Sequence, residues 1–198
     1  MIKMEKVSAV ILAGGKNRRM GCDKTLLEYG GMTFFDRINT ELEIFSEILI
    51  SIDQTARYPA LNGKIIIDKQ TDCGPLSGLS KALDICSSDW LFVIAVDLPL
   101  FTRKLAELLY TKTNKEFDAV IPSTRDGRLH PLCAFYHKRN LPIIESQMEA
   151  GNYRVMDAIT RMKVHEVKLG DTDLQDEILG NINTPEDYKN LKEKYEKH

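Results

Sequence analysis

The apolar run at residues 7–12 stops at Gly14-Gly15. A stretch this short and this continuously apolar is the pattern of a strand covered on both faces and ended by glycine, as in a parallel sheet packed between helices. Runs of the same kind recur at 48–52, 65–67, 91–96 and 119–121. Between them the spacing becomes helical: Phe34, Phe35, Ile38, Leu42 and Phe45 share one face, Leu76, Leu79, Leu83 and Cys86 a second, and Leu105, Leu108 and Leu109 a third. This alternation predicts βαβ crossovers onto a mainly parallel sheet, in a Rossmann-like α/β three-layer sandwich.

After residue 121 the rhythm changes. Arg125-Asp126-Gly127-Arg128 is a turn signal, and 132–136 reads as a strand that need not be parallel, so the sheet is expected to be partly mixed. Helices are predicted around 141–149 and 153–162, and a strand near 164–167. Thr184 is a sound N-cap for a last helix, with Pro185 at its first position and Asp187 favouring the dipole. Asn181 and Asn183 are expected to alternate on a short strand before it, with both amides on one face. No repeat, linker or low-complexity segment divides the chain, whose 198 residues suit one domain.

Composition narrows the function. With 43% hydrophobic and 28% charged residues the chain can bury a core, which excludes disordered and collagenous classes. Its 27 basic and 29 acidic residues leave a net charge of −2, too balanced for a surface devoted to nucleic acid. Any anionic ligand must then meet a local basic cluster. No apolar stretch approaches the roughly 20 residues a bilayer requires, and the first residues are charged, so a cytoplasmic protein without a membrane partner is expected. Cys22, Cys73, Cys86 and Cys133 form no CxxC pair, so reduced thiols are expected. His130 and Cys133 could imitate half a metal site, but no second half lies nearby, and metal-thiolate chemistry is set aside.

In an open parallel sheet, ligands gather at the carboxyl ends of the strands. The loop after the first strand, residues 12–24, holds Gly14, Gly15 and Gly21 with Lys16, Arg18, Arg19 and Lys24. Glycines let backbone N–H groups approach an anion, and the cations neutralise phosphate charge, so the loop is shaped for a triphosphate. It is neither a Walker A loop, whose Lys directly follows its last Gly, nor a GxGxxG turn. A glycine turn with solvated charges is the bland alternative, and it leaves the glycine density after a buried strand unexplained.

Asp97 follows the apolar strand at 91–96 and precedes Pro99. A carboxylate there suits Mg²⁺, which keeps much of its water and bridges phosphate oxygens through one or two carboxylates. Capping the next helix is the alternative, but Thr102 is the better cap candidate. Gly74-Pro75-Leu76 begins a helix whose free N–H groups could face a nucleotide, although a plain helix start explains it equally. Asp68 could accept hydrogen bonds from a base or ribose, or merely turn the chain. Two amides at Asn181 and Asn183 suit a polar ligand, or strand-end turn chemistry.

The order Leu12-Ala13-Gly14-Gly15-x-x-x-Arg19-Met20-Gly21-x-Asp23-Lys24 resembles the signature of the MobA-type nucleotidyltransferases, the molybdenum cofactor guanylyltransferase family. The likeness extends through Asp68, Gly74-Pro75-Leu76-Ser77-Gly78, Asp97-Leu98-Pro99, His130-Pro131-Leu132, Arg154-Val155-Met156 and Asn181-Ile182-Asn183-Thr184-Pro185, nearly the whole chain. It implies a nucleotide-diphospho-sugar-transferase-like fold over 1–198, with a nucleotide half at about 1–122 and an acceptor half at about 123–198. The implied reaction joins GMP from GTP to the terminal phosphate of molybdenum-loaded molybdopterin and releases pyrophosphate, with Mg²⁺ as cofactor. It implies nucleotide contacts at Leu12, Ala13, Gly14, Gly15, Lys24, Ser51, Asp68, Gly74, Pro75, Gly78 and Asp97. Catalytic roles fall to Arg19, Lys24 and Asp97, with Asp97 holding the metal, and acceptor contacts to His130, Asn181 and Asn183. A monomer is expected, served by molybdopterin-delivering proteins. Gly14, where cytidylyl relatives tend to carry Ala, removes a methyl group and could admit a purine; Asn17 departs from the small residue usual there. A CTP or sugar-phosphate nucleotidyltransferase, and a GTP-binding regulator without turnover, are the alternative readings.

Overall fold

The computed structural model describes residues 4–14, 20, 23–52, 64–67 and 74–195. Its main sheet has seven strands among these residues: β1 (Met4–Leu12), β4 (Phe45–Ile52), β5 (Lys64–Ile67), β6 (Trp90–Ala95), β7 (Ala119–Ser123), β8 (Cys133–His137) and β9 (Val164–Lys168). They run in the order β5-β4-β1-β6-β8-β7-β9. A small antiparallel ribbon, β2 (Glu28–Tyr29) with β3 (Met32–Thr33), stands apart.

β1 lies between β4 and β6 and is parallel to both, which is why residues 7–12 are buried and lack a polar face. β8 is antiparallel to both neighbours, whereas β9 returns parallel to β7. The expected mixed sheet is therefore present, with its reversal confined to one strand. Leu91 to Ile94 pair with Tyr136 to Cys133 in this reversed register.

Helices cover both faces. On one side α1 (Phe34–Glu41), α3 (Arg103–Tyr110) and α6 (Pro185–Tyr195) bury Phe34, Ile38, Leu105, Leu109 and Leu191 against Ile11, Ile50, Phe92 and Phe135. On the other, α2 (Gly74–Ile85), α4 (Leu141–Glu149) and α5 (Val155–Ile159) pack Leu76, Leu79, Leu83, Ile144 and Ile159 against Val10, Leu49, Val93 and Tyr136. This is the expected three-layer sandwich.

Three local expectations are corrected. Phe45 opens β4 instead of continuing α1, because the helix ends at Glu41 and a short 3₁₀ turn, Leu42–Ile44, carries the chain into the sheet. Residues 181–183 form no strand; the segment is held by a bond from the Ile182 N–H to the Asp97 carbonyl at 2.9 Å. Thr102 stands at the N-cap of α3 but its side chain caps nothing. The Arg103 N–H instead donates to Glu41 Oε2 at 2.6 Å, so α1 supplies the anion that satisfies this helix start.

Candidate active site

Lys24 begins a 3₁₀ turn, Lys24–Leu26, whose start is tied by Asp23. Asp23 Oδ1 accepts both the Thr25 N–H at 3.0 Å and the Thr25 hydroxyl at 2.8 Å, with Thr25 buried. This Asx-type closure fixes the backbone from which the Lys24 side chain projects. Asp97 leaves the sheet one residue beyond Val96, whose N–H donates to the Leu12 carbonyl at 3.2 Å. Buried Leu98 and Phe101 anchor the turn that follows. Lys24 and Asp97, which follow the carboxyl ends of β1 and β6 in the chain, are thereby brought face to face.

The Lys24 ammonium donates to Asp97 Oδ2 at 3.2 Å and to Asn183 Oδ1 at 2.7 Å. Asn181 Nδ2 donates to Asp97 Oδ1 at 3.0 Å. The Lys24 and Asp97 side chains keep only 13% and 18% of their exposure, so the pair is partly withdrawn from water and screened less than a surface pair. Asp187, in the first turn of α6, accepts the backbone N–H groups of Asn183 at 2.9 Å and Thr184 at 2.8 Å, while its own N–H donates to Thr184 Oγ1 at 3.1 Å. The Asn183 N–H foremost holds the Asp187 carboxyl below its ordinary range. This reciprocal cap pins the backbone of Asn183 in place. Thr184 and Asp187 at N-cap and N3 signal it in the sequence, but only the fold shows that it buttresses the site.

The other expected residues divide. Gly15, Arg19 and Asp68 lie outside the described residues, as do Lys16, Arg18 and Gly21. The N–H groups of Ala13 and Gly14 both donate to the Ser51 carbonyl, at 2.8 and 3.0 Å, so these two donors are engaged within the fold instead of being presented to an anion. Leu12 and Ser51 are buried, and Gly78 is buried against both, which places Gly78 in the floor beneath the loops. Gly74 has φ +64°, in the left-handed region where glycine is favoured, and with Pro75 forms an exposed start to α2.

His130 begins the turn that leads into β8. Its N–H donates to the Pro122 carbonyl at 2.9 Å and its carbonyl accepts the Cys133 N–H at 3.1 Å. The imidazole is buried with Nε2 unpartnered, and burial first, then Arg128, pushes its pKa below the usual histidine value. Cys133 is a free, buried thiol whose pKa burial raises, in keeping with the inert role expected of it.

Asp97 offers one carboxylate oxygen to an amide donor and the other to a cation, the ammonium, so the Oδ2 side already accommodates positive charge. Among the described residues no group of three or more His, Cys, Asp or Glu is gathered to hold an ion. A divalent ion at Asp97 would therefore share its coordination with phosphate oxygens and water, a habit that suits Mg²⁺. Also among the described residues, no helix is long and apolar enough to cross a membrane.

Residues 9–166 match the family profile described as the MobA-like NTP transferase domain. A protein of Carboxydothermus hydrogenoformans named "Probable molybdenum cofactor guanylyltransferase" is 30% identical over 191 residues, covering 95% of this chain and 96% of its own length. A protein of the same name from Methanosarcina mazei is 32% identical over 202 residues, covering 93% of this chain and 89% of its own. The crystal structure of molybdopterin-guanine dinucleotide biosynthesis protein A from Archaeoglobus fulgidus superposes with a TM-score of 0.81 over 96% of this chain and 100% of that one. At 24% identity it is a likeness of fold.

Proposed function

The chain belongs to the MobA-like NTP transferase family, and on that premise we propose that it transfers GMP from GTP to the terminal phosphate of molybdopterin, forming the guanine dinucleotide and pyrophosphate. The observation that carries this reading is the meeting of Lys24 and Asp97 at the carboxyl edge of the sheet, braced by Asn181 and Asn183 from the far end of the chain. The names of the relatives, at 30% and 32% identity over nearly the full length, support the acceptor and the base.

The nucleophile is an oxygen of the acceptor phosphomonoester. Its second pKa is about 6, so it is already largely a dianion at neutral pH and requires no protein base. It attacks the α-phosphorus in line; the bond from that phosphorus to the bridging oxygen breaks, and pyrophosphate leaves with the electron pair. The obstacle is repulsion between two anions and charge growing on the leaving group. Alignment and electrostatic stabilisation are therefore the work of the protein.

Lys24 supplies a positive charge fixed by Asp97 and Asn183 before substrate arrives, so little reorganisation is needed during transfer. Asp97 is the residue that would hold Mg²⁺, which when bound neutralises charge on the triphosphate. Arg19, expected from the sequence to reach the phosphates, belongs to the same reading. Gly14, exposed two residues beyond the end of β1, lacks the methyl group of an alanine, in keeping with a purine base.

The test is direct: purified protein with labelled GTP, Mg²⁺ and molybdopterin, scored for labelled dinucleotide and pyrophosphate. Pyrophosphate released only with a sugar phosphate as acceptor would overturn the acceptor. A clear preference for CTP over GTP and ATP in competition binding would overturn the base.

A further inference from the structure

Asn181 and Asn183 flank Ile182, whose side chain is buried and whose N–H donates to the Asp97 carbonyl at 2.9 Å. That backbone bond seats the segment against the Asp97 turn. Each amide then presents the polarity its neighbour needs. A carboxylate can only accept, so Asn181 turns its NH₂ to Asp97 Oδ1; an ammonium can only donate, so Asn183 turns its carbonyl to Lys24. The Lys24–Asn183 bond, at 2.7 Å, is shorter than the 3.2 Å separation of Lys24 from Asp97. Asn183 is therefore the nearer of the two partners that set where the ammonium rests.

We propose that Asn181 and Asn183 are positioning residues for the Asp97–Lys24 pair instead of surfaces for the acceptor. Asn181 occupies Oδ1 and so fixes the plane of the carboxylate, leaving Oδ2 directed toward the cation. Asn183 retains the ammonium beside it even when the triphosphate draws it away from Asp97. The C-terminal half thus tunes the reacting centre of the N-terminal half through two amides. The proposal rests on the nucleotidyl-transfer reading for what that centre does, and not for the geometry.

The near-isosteric variants Asn181→Leu and Asn183→Leu test it, each alone and combined with Asp97→Asn or Lys24→Ala. Partners that orient the groups at a metal or reacting centre are worth roughly 10- to 100-fold when removed. Asn183→Leu is expected to lower kcat by roughly tenfold or more with little change in KM for the acceptor, and to cause no further loss in a Lys24→Ala background. Asn181→Leu is expected to raise, by roughly tenfold, the Mg²⁺ concentration required for GTP binding by calorimetry, and to have no such effect beside Asp97→Asn. Losses that repeat in full in both backgrounds, or a change in acceptor KM alone, overturn the proposal.

A readout independent of turnover is the Lys24 ammonium followed by nitrogen-detected NMR. Its protons should exchange slowly in the unaltered protein, rapidly in Asn183→Leu, and slowly again in Asn183→Asp, which keeps an acceptor oxygen. Equal exchange in all three rejects the positioning role whatever the activity shows. Full activity in Lys24→Ala would instead remove the catalytic assignment, so the two readings fail separately.

Discussion

Gly78 and Ser51 approach so closely that a methyl group on the glycine would stand 2.6 Å from Ser51 Oγ and 3.0 Å from Leu12 Cδ2. Leu12 ends β1 and Ser51 lies near the end of β4, so helix α2 rests directly on the two strand ends that carry the first loop. Gly78→Ala is expected to overpack this floor at a cost of about 1–3 kcal/mol. In a chain of this size that lowers the melting temperature by roughly 2–4 °C per kcal/mol. Adding Ser51→Ala removes the nearest atom and should restore part of the loss. Equal melting of Gly78→Ala and the unaltered protein would contradict the contact.

Lys24→Ala and Asp97→Asn each remove one member of a partly withdrawn ion pair. Each is expected to cost on the order of a hundredfold or more in dinucleotide formation, the scale of single-group electrostatic losses in active sites. Lys24→Arg is not expected to restore the rate, because a planar fork cannot replace a compact ammonium held by two oxygens. Initial rates at saturating GTP and acceptor decide the matter, and near-normal turnover in Lys24→Ala would exclude the role given to it.

Glu47 anchors the opposite end of the sheet. Burial tends to raise its carboxyl, but bonds from the Ser8 hydroxyl at 2.6 Å, the Ser87 N–H at 3.0 Å and Lys64 at 3.2 Å outweigh it and hold the pKa at about 2. The folded value lies below the ordinary 4.5, so the folded state favours the anion. Its stabilisation is complete above about pH 4.5 and drains away as pH falls toward 2. Glu47→Gln should therefore unfold more easily than the unaltered protein at pH 7, with the gap closing in denaturant titrations near pH 2–3. A gap of constant size across that range would show that the carboxylate charge contributes nothing.

His130 is likewise held in its deprotonated form by the fold, which for histidine is the neutral one. With Nε2 buried and unpartnered, a proton there would have no acceptor, so the folded state holds the neutral ring. Stability from this source is present above pH 6.5 and falls as pH drops below it. The unaltered protein should lose more of its melting temperature between pH 7.5 and 5 than His130→Leu does. Identical pH profiles for the two proteins would place the imidazole in contact with water.

Much of the architecture follows from local pattern alone. Short, largely apolar runs at 7–12 and 91–96, the first stopped by glycines, read as strands buried on both faces, and the helical spacing of Leu76, Leu79 and Leu83 identifies the layer above them. Thr184 and Pro185 mark the start of α6, and the loop chemistry around Lys24 and Asp97 is equally visible, since residue type and order are local properties. Other features depend on partners remote in the chain. Nothing near Thr102 reveals that Glu41 would satisfy the α3 start, and nothing near Gly14 reveals that its N–H and that of Ala13 would be taken by the Ser51 carbonyl. Asn181 and Asn183 carry their chemistry in the sequence, but their task is set by meeting Asp97 and Lys24 across separations of 84 and 159 positions. A hydrogen bond requires atoms within about 3 Å in a fixed direction, and only the folded sheet, which brings the ends of β1 and β6 beside the segment preceding α6, decides which distant groups come that close.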